Sequence, residues 1–295
     1  MTRQYFSFAD YTRDRFGSAA GKISIDIGFG CAHQKRTGGC SFCSLAAFAP
    51  SYTSPALSVE EQWQRGKKFS RHARNYAYLQ LGTNTGPGID VARILAPIAE
   101  DTSLSGIMIG TRPDALDATT ISALSELASR YDVWMEMGMQ SMDNAVLAHI
   151  DRGHTFEQFM EAALCVQRGK IRVSAHVIFG LPGEAREGML AGIRELAKIP
   201  VDGMKFHQLS IVRGTKIADL YAREPFPLLD ERTYADIVAH ALTMLPASVV
   251  IERLVGDSHS EYLIAPRWKA GKHEVIAMIR ERLEEMNAVQ GTNAS

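Results

Sequence analysis

Seven short apolar segments alternate with helical stretches along nearly all of this 295-residue chain, and that alternation restricts the fold more than any other feature. "KISIDIGFG" (22–30) interleaves apolar and polar residues as a strand does. "NYAYLQLG" (75–82), "SGIMIG" (105–110), "YDVWMEMGM" (131–139), "IRVSAHVIFG" (171–180), "VDGMKFHQLSIV" (201–212) and "SVVIERLV" (248–255) read the same way. Between them, "DATTISALSELASR" and "TFEQFMEAALCVQRG" carry apolar residues at helical spacing, and Ser58/Glu61 and Thr155/Gln158 have the spacing of capping boxes. A charged helix, "HEVIAMIRERLEEM", lies near the C-terminus. Repeated strand-then-helix units predict an α/β fold with a parallel sheet and external helices, because parallel strands need long crossovers. An open doubly wound sheet and a full or partial barrel share this linear pattern. No internal repeat, low-complexity run or linker interrupts it; Pro225 and Pro227 mark only a loop, so one domain over 1–295 is expected.

In such folds ligands gather where the strands end, and here the segments after the strands are rich in glycine and polar groups. They include "GCAHQKRTGGCSFC", "GTNTGPG", "GTRPD", "MQS", "GLPGE" and "RLVGD". The charges nearly balance, giving a formal net charge of −1, which excludes a nucleic-acid surface spread over the whole molecule but leaves room for local basic patches. "RGKKFSRHAR" (65–74) and "PRWKAGKH" (266–273) are two such runs, each with an aromatic neighbour. No apolar run approaches the ~18 residues of a membrane span, and the polar start lacks the core of a signal peptide, so a cytoplasmic protein with no membrane partner is expected.

Four cysteines in so long a chain are no disulfide framework, and thiols are the expected state. Cys165 falls within a helical apolar pattern and is expected in the core. Cys31, Cys40 and Cys43 crowd into "GFGCAHQKRTGGCSFCSL" (28–45), directly after the first strand. Thiolates suit zinc or iron–sulfur clusters. Zinc would need a fourth ligand, for which His33 is the nearest candidate, whereas three cysteines can hold a cubane cluster with one iron left open.

A first strand running into a cysteine loop that ends in C-x-aromatic-C, here Cys40, Phe42 and Cys43, resembles the radical S-adenosylmethionine (SAM) superfamily. "YFSFADYTRDRFG", "KISIDIGFGC", "GTRPDAL", "MGMQS", "DRGHTFEQF", "HVIFGLPGE" and "GDSHSEYLIAPRW" occur in the order found in the bacterial YhcC/YtqA-type radical SAM proteins, to which the chain is similar over nearly its full length. "TRPD" and "GLPGE" also resemble the catalytic subunit of Elongator. Two features depart from the pattern: the eight residues between Cys31 and Cys40, against the usual three, and "SLAAFAPSYTS" after Cys43 in place of a glycine-rich stretch.

The resemblance implies a partial (β/α)6-type barrel with a core of about 22–212 and a C-terminal strand-and-helix extension of about 213–295. It implies a [4Fe-4S] cluster on Cys31, Cys40 and Cys43, with SAM on the open iron, cleaved reductively to a 5′-deoxyadenosyl radical that abstracts hydrogen from the substrate. On the matching positions, Phe42 would set the backbone beside the adenine, with Thr83 and Asn84 near the methionine amino group. Glu136 and Gln140 would face the ribose or methionine, and Arg152 the SAM carboxylate, with a surface position for Glu136 or a helix-capping role for Arg152 and His154 as the plainer readings. Gly180 and Gly183 would let the backbone approach the adenine, and His207 would close that side; His176 reads equally as a core or a site histidine. Arg112, Asp114, Glu252 and Arg253 follow strands where a substrate could dock. An electron donor of the flavodoxin or ferredoxin type is implied, with tRNA as substrate through its wobble uridine. A small metabolite as substrate, or a non-catalytic zinc or iron–sulfur protein, are the alternatives.

Overall fold

The computed structural model describes residues 3–257 and 259–294. Strands β1 (Ala20–Ile25), β2 (Arg74–Leu79), β3 (Leu104–Thr111), β4 (Asp132–Gln140), β5 (Arg172–Phe179) and β6 (Gly203–Gln208) pair in parallel, each beside the next. The expected sixth strand is broken in two: after β6 the chain turns, and β7 (Ile211–Val212) leaves the sheet to pair antiparallel with β9 (Leu263–Ala265). Between them in sequence, β8 (Val250–Arg253) adds in parallel to β6 and completes a seven-stranded sheet in the order β1-β2-β3-β4-β5-β6-β8. The sheet curls into a half-barrel, which makes β1 and β8 its two edges.

Alternation along each strand sorts side chains to the two faces. On β4, Val133, Met135, Met137 and Met139 join the core beneath the outer helices, while Trp134, Glu136 and Gln140 fall on the other face. On β6, Met204 and Phe206 face the same core and Lys205 and His207 face inward. That outer core runs from Ile23 on β1 to Leu283 on the last helix, Lys272–Glu285. Inside the curl, helix Phe8–Phe16, opened by a Ser7/Asp10 capping box, stoppers the lower end with Phe8 and Tyr11 against Tyr76 and Trp134. Asp132 is buried at this plug, where Tyr11, Tyr76 and Trp134 all donate to its Oδ2 at 2.6–2.8 Å and Arg172 pairs with Oδ1 at 3.1 Å.

Cys165 corrects the expectation of a core residue: it is exposed on helix Phe156–Arg168, whose buried stripe is Phe159, Ala162, Ala163 and Val166. The pattern of that helix is wide enough to admit it, but its angle points it to solvent. No helix among the described residues is long and apolar enough to cross a membrane.

Candidate active site

The loop after β1 carries the three clustered cysteines across the upper end of the half-barrel. Cys31 is the N-cap of the short helix Ala32–Thr37, Gly38 ends it in the left-handed conformation, and Cys43 N–H donates to Cys40 O at 3.2 Å in the turn that follows. The loop is clamped from three sides: Thr83 N–H donates to Gly30 O at 2.8 Å, Ser41 N–H to Ile150 O at 2.9 Å, and Ile217 N–H to Ser41 O at 2.9 Å. Gly82 is required for the first of these, since a Cβ there would lie 2.3 Å from Gly30 O. Phe42 packs into the apolar cluster of Val146, Ile150 and Ile178 while also lining the space below the loop.

That space is a cavity of about 480 Å³ inside the half-barrel, and Cys31, Cys40 and Cys43 all line it. Arg152, expected to reach SAM or merely to cap a helix, turns inward to the cavity: its Nη1 lies 3.4 Å from Cys40 Sγ and its Nη2 donates to Gly138 O. Gly138 makes room for this, a Cβ there falling 2.8 Å from Arg152 Nη2. Arg112 of "TRPD" stands on the same sulfur at 3.7 Å, held by Asp114 and by the Arg152 carbonyl. Thr83 Oγ1 lies 3.3 Å from Cys31 Sγ. Burial, followed by the neighbouring Cys40 and Cys31, pushes the Cys43 thiol up to about 12, against the pull of the two guanidinium groups. Thiolates crowded on one loop repel one another and call for a cationic partner.

Deeper in the cavity lies an ionic layer. Glu136 is buried, not on an edge: Tyr78 donates to its Oε2 at 2.7 Å and Lys205 Nζ to its Oε1 at 2.7 Å. Burial pushes this carboxyl up, yet Lys205 and the cations around it hold it below its usual range; Lys205 itself is lowered by burial, with Glu136 opposing. Lys22 on β1 pairs with Glu252 on β8 at 2.5 Å and rests 4.1 Å over the Phe8 ring, so this layer sits directly on the aromatic plug. Above it the His176 and His207 rings meet at a tilt of 57°, centroids 4.3 Å apart, and Arg253 donates to His207 Nε2 at 3.2 Å. Burial first, and then nearby cations for His176, keep both imidazoles neutral.

Of the residues singled out from sequence, Phe42, Thr83, Glu136, Gln140, Arg152 and His207 line this one cavity together with the cysteines. Asn84, Gly180 and Gly183 do not. Asn84 Nδ2 donates to Leu79 O and Gly110 O, stapling the ends of β2 and β3, while its Oδ1 is buried without a partner, and Gly180, at φ 84°, turns beneath Leu229. His33 is buried away from the cavity with Nε2 on Asp151 O at 2.7 Å, so it offers nothing as a fourth ligand. Lys22, Tyr78 and Lys205 escaped the sequence reading. Their signal was present: in "GMKFHQ" the polar side chains occupy alternate positions opposite Met204 and Phe206, which in a curled parallel sheet is the inner face.

The donor set fits a cluster with a ligand beside it. Gln140 Oε1, Arg152 Nε and His176 Nε2 are buried without a hydrogen-bond partner, and all three residues face the cavity. Among the described residues no three His, Cys, Asp or Glu side chains converge closely enough to share one metal ion, as mononuclear zinc requires. A cubane instead spreads its thiolates over separate irons.

A parallel half-barrel with a cysteine loop over its upper end and a deep polar cavity below has the shape of an enzyme site that could seat an iron–sulfur cluster. Comparison with known proteins agrees: residues 25–196 match the radical SAM superfamily and residues 201–285 the radical SAM C-terminal domain. The chain belongs to the radical SAM superfamily, whose cofactors are a [4Fe-4S] cluster and SAM. It is 31% identical to the YtqA protein of Bacillus subtilis, over 98% of this chain and 92% of that one, and 28% identical to YhcC of Escherichia coli, over 96% and 93%. A tRNA uridine(34) acetyltransferase of Methanocaldococcus jannaschii is 24% identical over 60% of this chain and 32% of its own length. Among solved structures, Elp3 from Methanocaldococcus infernus superposes with a TM-score of 0.68 at 16% identity, over 92% of this chain and 64% of that one, which bears on the fold.

Proposed function

We propose that Cys31, Cys40 and Cys43 hold the [4Fe-4S] cluster and that the enzyme modifies the wobble uridine of tRNA. The observation that carries the first part is the meeting of these three thiols on the wall of one cavity with unpartnered Gln140, Arg152 and His176 atoms. Bound there, the cluster and SAM would supply the radical chemistry for hydrogen abstraction. This chain's residues do the rest. Arg112 and Arg152 set positive charge against Cys40, Thr83 donates toward Cys31, and Phe42 anchors the loop in its apolar seat. Gln140 Oε1 and Arg152 Nε, buried without a partner, would take the polar groups of SAM. Glu136 reaches the cavity with both oxygens engaged, so it orients Lys205 and Tyr78 instead of offering a free carboxylate. A one-electron donor of the flavodoxin or ferredoxin type would reduce the cluster, and a reducing cytoplasm suits four unpaired cysteines.

The tRNA assignment is supported by the likeness to the tRNA uridine(34) acetyltransferase. Anaerobic reconstitution is expected to load about four irons with sulfide per chain, and reduction to yield 5′-deoxyadenosine. Replacing any of the three cysteines by alanine removes both. tRNA nucleosides from cells with and without the gene are expected to differ at the wobble uridine. One zinc per chain with no SAM cleavage overturns the cofactor sites, and identical nucleoside profiles overturn the substrate.

A further inference from the structure

Helix Val59–Phe69 flanks the edge strand β1, burying Gln62, Trp63 and Gly66 and leaving Arg65, Lys68 and Phe69 in solvent. Phe69 is 70% exposed, more than any other large apolar side chain among the described residues. It is not adrift: its ring stacks on Tyr52 at 5.5 Å and 20°. Tyr52 in turn lines the cavity, its hydroxyl accepting from Ser24 N–H on β1 at 2.8 Å. Two stacked rings thus lead from the surface to the cavity wall, along the edge where the sheet has no further strand.

The chain after the first turn of this helix is rich in cations. From Gln62 to Ile89 the sequence has five Lys and Arg residues and no Asp or Glu. Lys67 is taken by Asp101 at 2.8 Å and Arg74 lies over Phe16 at 5.5 Å, while among the described residues Arg65, Lys68 and Arg71 have no carboxylate within salt-bridge distance. Glu61, one turn before Arg65, has its carboxylate held by Ser58 in the helix cap. A flat exposed ring between unpaired cations gives a base a stacking face and its phosphates a counter-charge. Chemistry on a base also requires it to leave its stack, so the neighbouring nucleotides need a place to be held.

We propose that Arg65, Lys68, Phe69 and Arg71 form the docking surface for the single-stranded RNA flanking the target nucleotide, one base stacking on Phe69. This rests on the reading of the enzyme as a tRNA modifier and adds where the RNA lies. The test compares wild type, Phe69→Ala and Lys68→Glu/Arg71→Glu, all anaerobically reconstituted, using an unmodified tRNA anticodon stem-loop as probe. RNA-independent 5′-deoxyadenosine formation is expected to be equal in all three, showing an intact cavity. Phe69→Ala is expected to weaken RNA binding by about 5- to 150-fold, and the charge reversal to lower the slope of log Kd against log salt by about 1.4. Wild-type binding and modification with unchanged affinity and slope in both variants overturns this surface alone. Loss of flavodoxin-driven turnover with RNA binding unchanged assigns the surface to the electron donor and also overturns it. A wild type that neither binds the stem-loop nor changes any tRNA nucleoside overturns the functional reading together with it.

Discussion

Glu184, in "GLPGE", shows what a single side chain contributes outside the cavity. Ser141 Oγ donates to its Oε1 at 2.5 Å, its Oε2 is buried without a partner, and burial pushes the carboxyl up to about 7. Ser141 follows Gln140, whose left-handed φ of 76° is costly for a residue with a Cβ and is tolerated because the next residue is tied down. A raised carboxyl favours the folded state below its unfolded value of 4.5, and that stability is lost as pH rises to about 7. The loss amounts to ~3 kcal/mol. In Glu184→Gln the urea stability is therefore expected to lose its fall across pH 4.5–7; a slope equal to wild type would remove this role. The glycines of this motif were readable as a turn, but the buried carboxyl was not, because its partner Ser141 is 43 residues away.

Among the elements, the C-terminal extension has a task that its sequence pattern does not announce. Helix Lys216–Arg223, capped by Thr215, delivers Ile217 N–H to Ser41 O and Lys216 Nζ to Gly39 O, so it grips the cysteine loop from above. His259 does the same farther along, its N–H donating to Ala47 O at 3.0 Å. Ile217 is fully buried in the cluster that seats Phe42. Ile217→Ala is expected to cost ~2–5 kcal/mol and to speed iron release to a chelator from the reconstituted protein. Unaltered release at reduced stability would mean that the helix supports the fold without holding the loop. The capping boxes at Ser58 and Thr155 were readable from spacing alone, since a cap is a contact within one turn. The division of the sixth strand was not: β7 breaks away because its partner, β9, lies some fifty residues on.

For the molecule as a whole, a half-barrel has two open edges, and here they are tied by side chains. Lys22 on β1 and Glu252 on β8 meet across the seam at 2.5 Å, with the Glu252 side chain wholly buried. Below them, the N-terminal segment runs against β8, Ile251 N–H donating to Phe6 O at 2.7 Å. Removing one partner leaves the other charged and without water, so Lys22→Met is expected to cost ~3–5 kcal/mol. Lys22→Met/Glu252→Leu, which removes both charges, is expected to recover most of that in urea denaturation. If the double variant is as unstable as the single one, the pair does not close the seam.

Strand-and-helix alternation and the cysteine trio belong to the sequence by itself, because both are patterns of near neighbours: one set by the pitch of the backbone, the other by three thiols within thirteen positions. They sufficed for a parallel α/β fold and for the upper wall of the cavity. Only the tertiary structure decided the lower wall. Lys205 meets Glu136 across 69 residues and Lys22 meets Glu252 across 230, through the sheet's register and curl, which place every second residue of distant strands in one layer. Alternation marks which side chains share a face; the closing of the sheet chooses which of them touch.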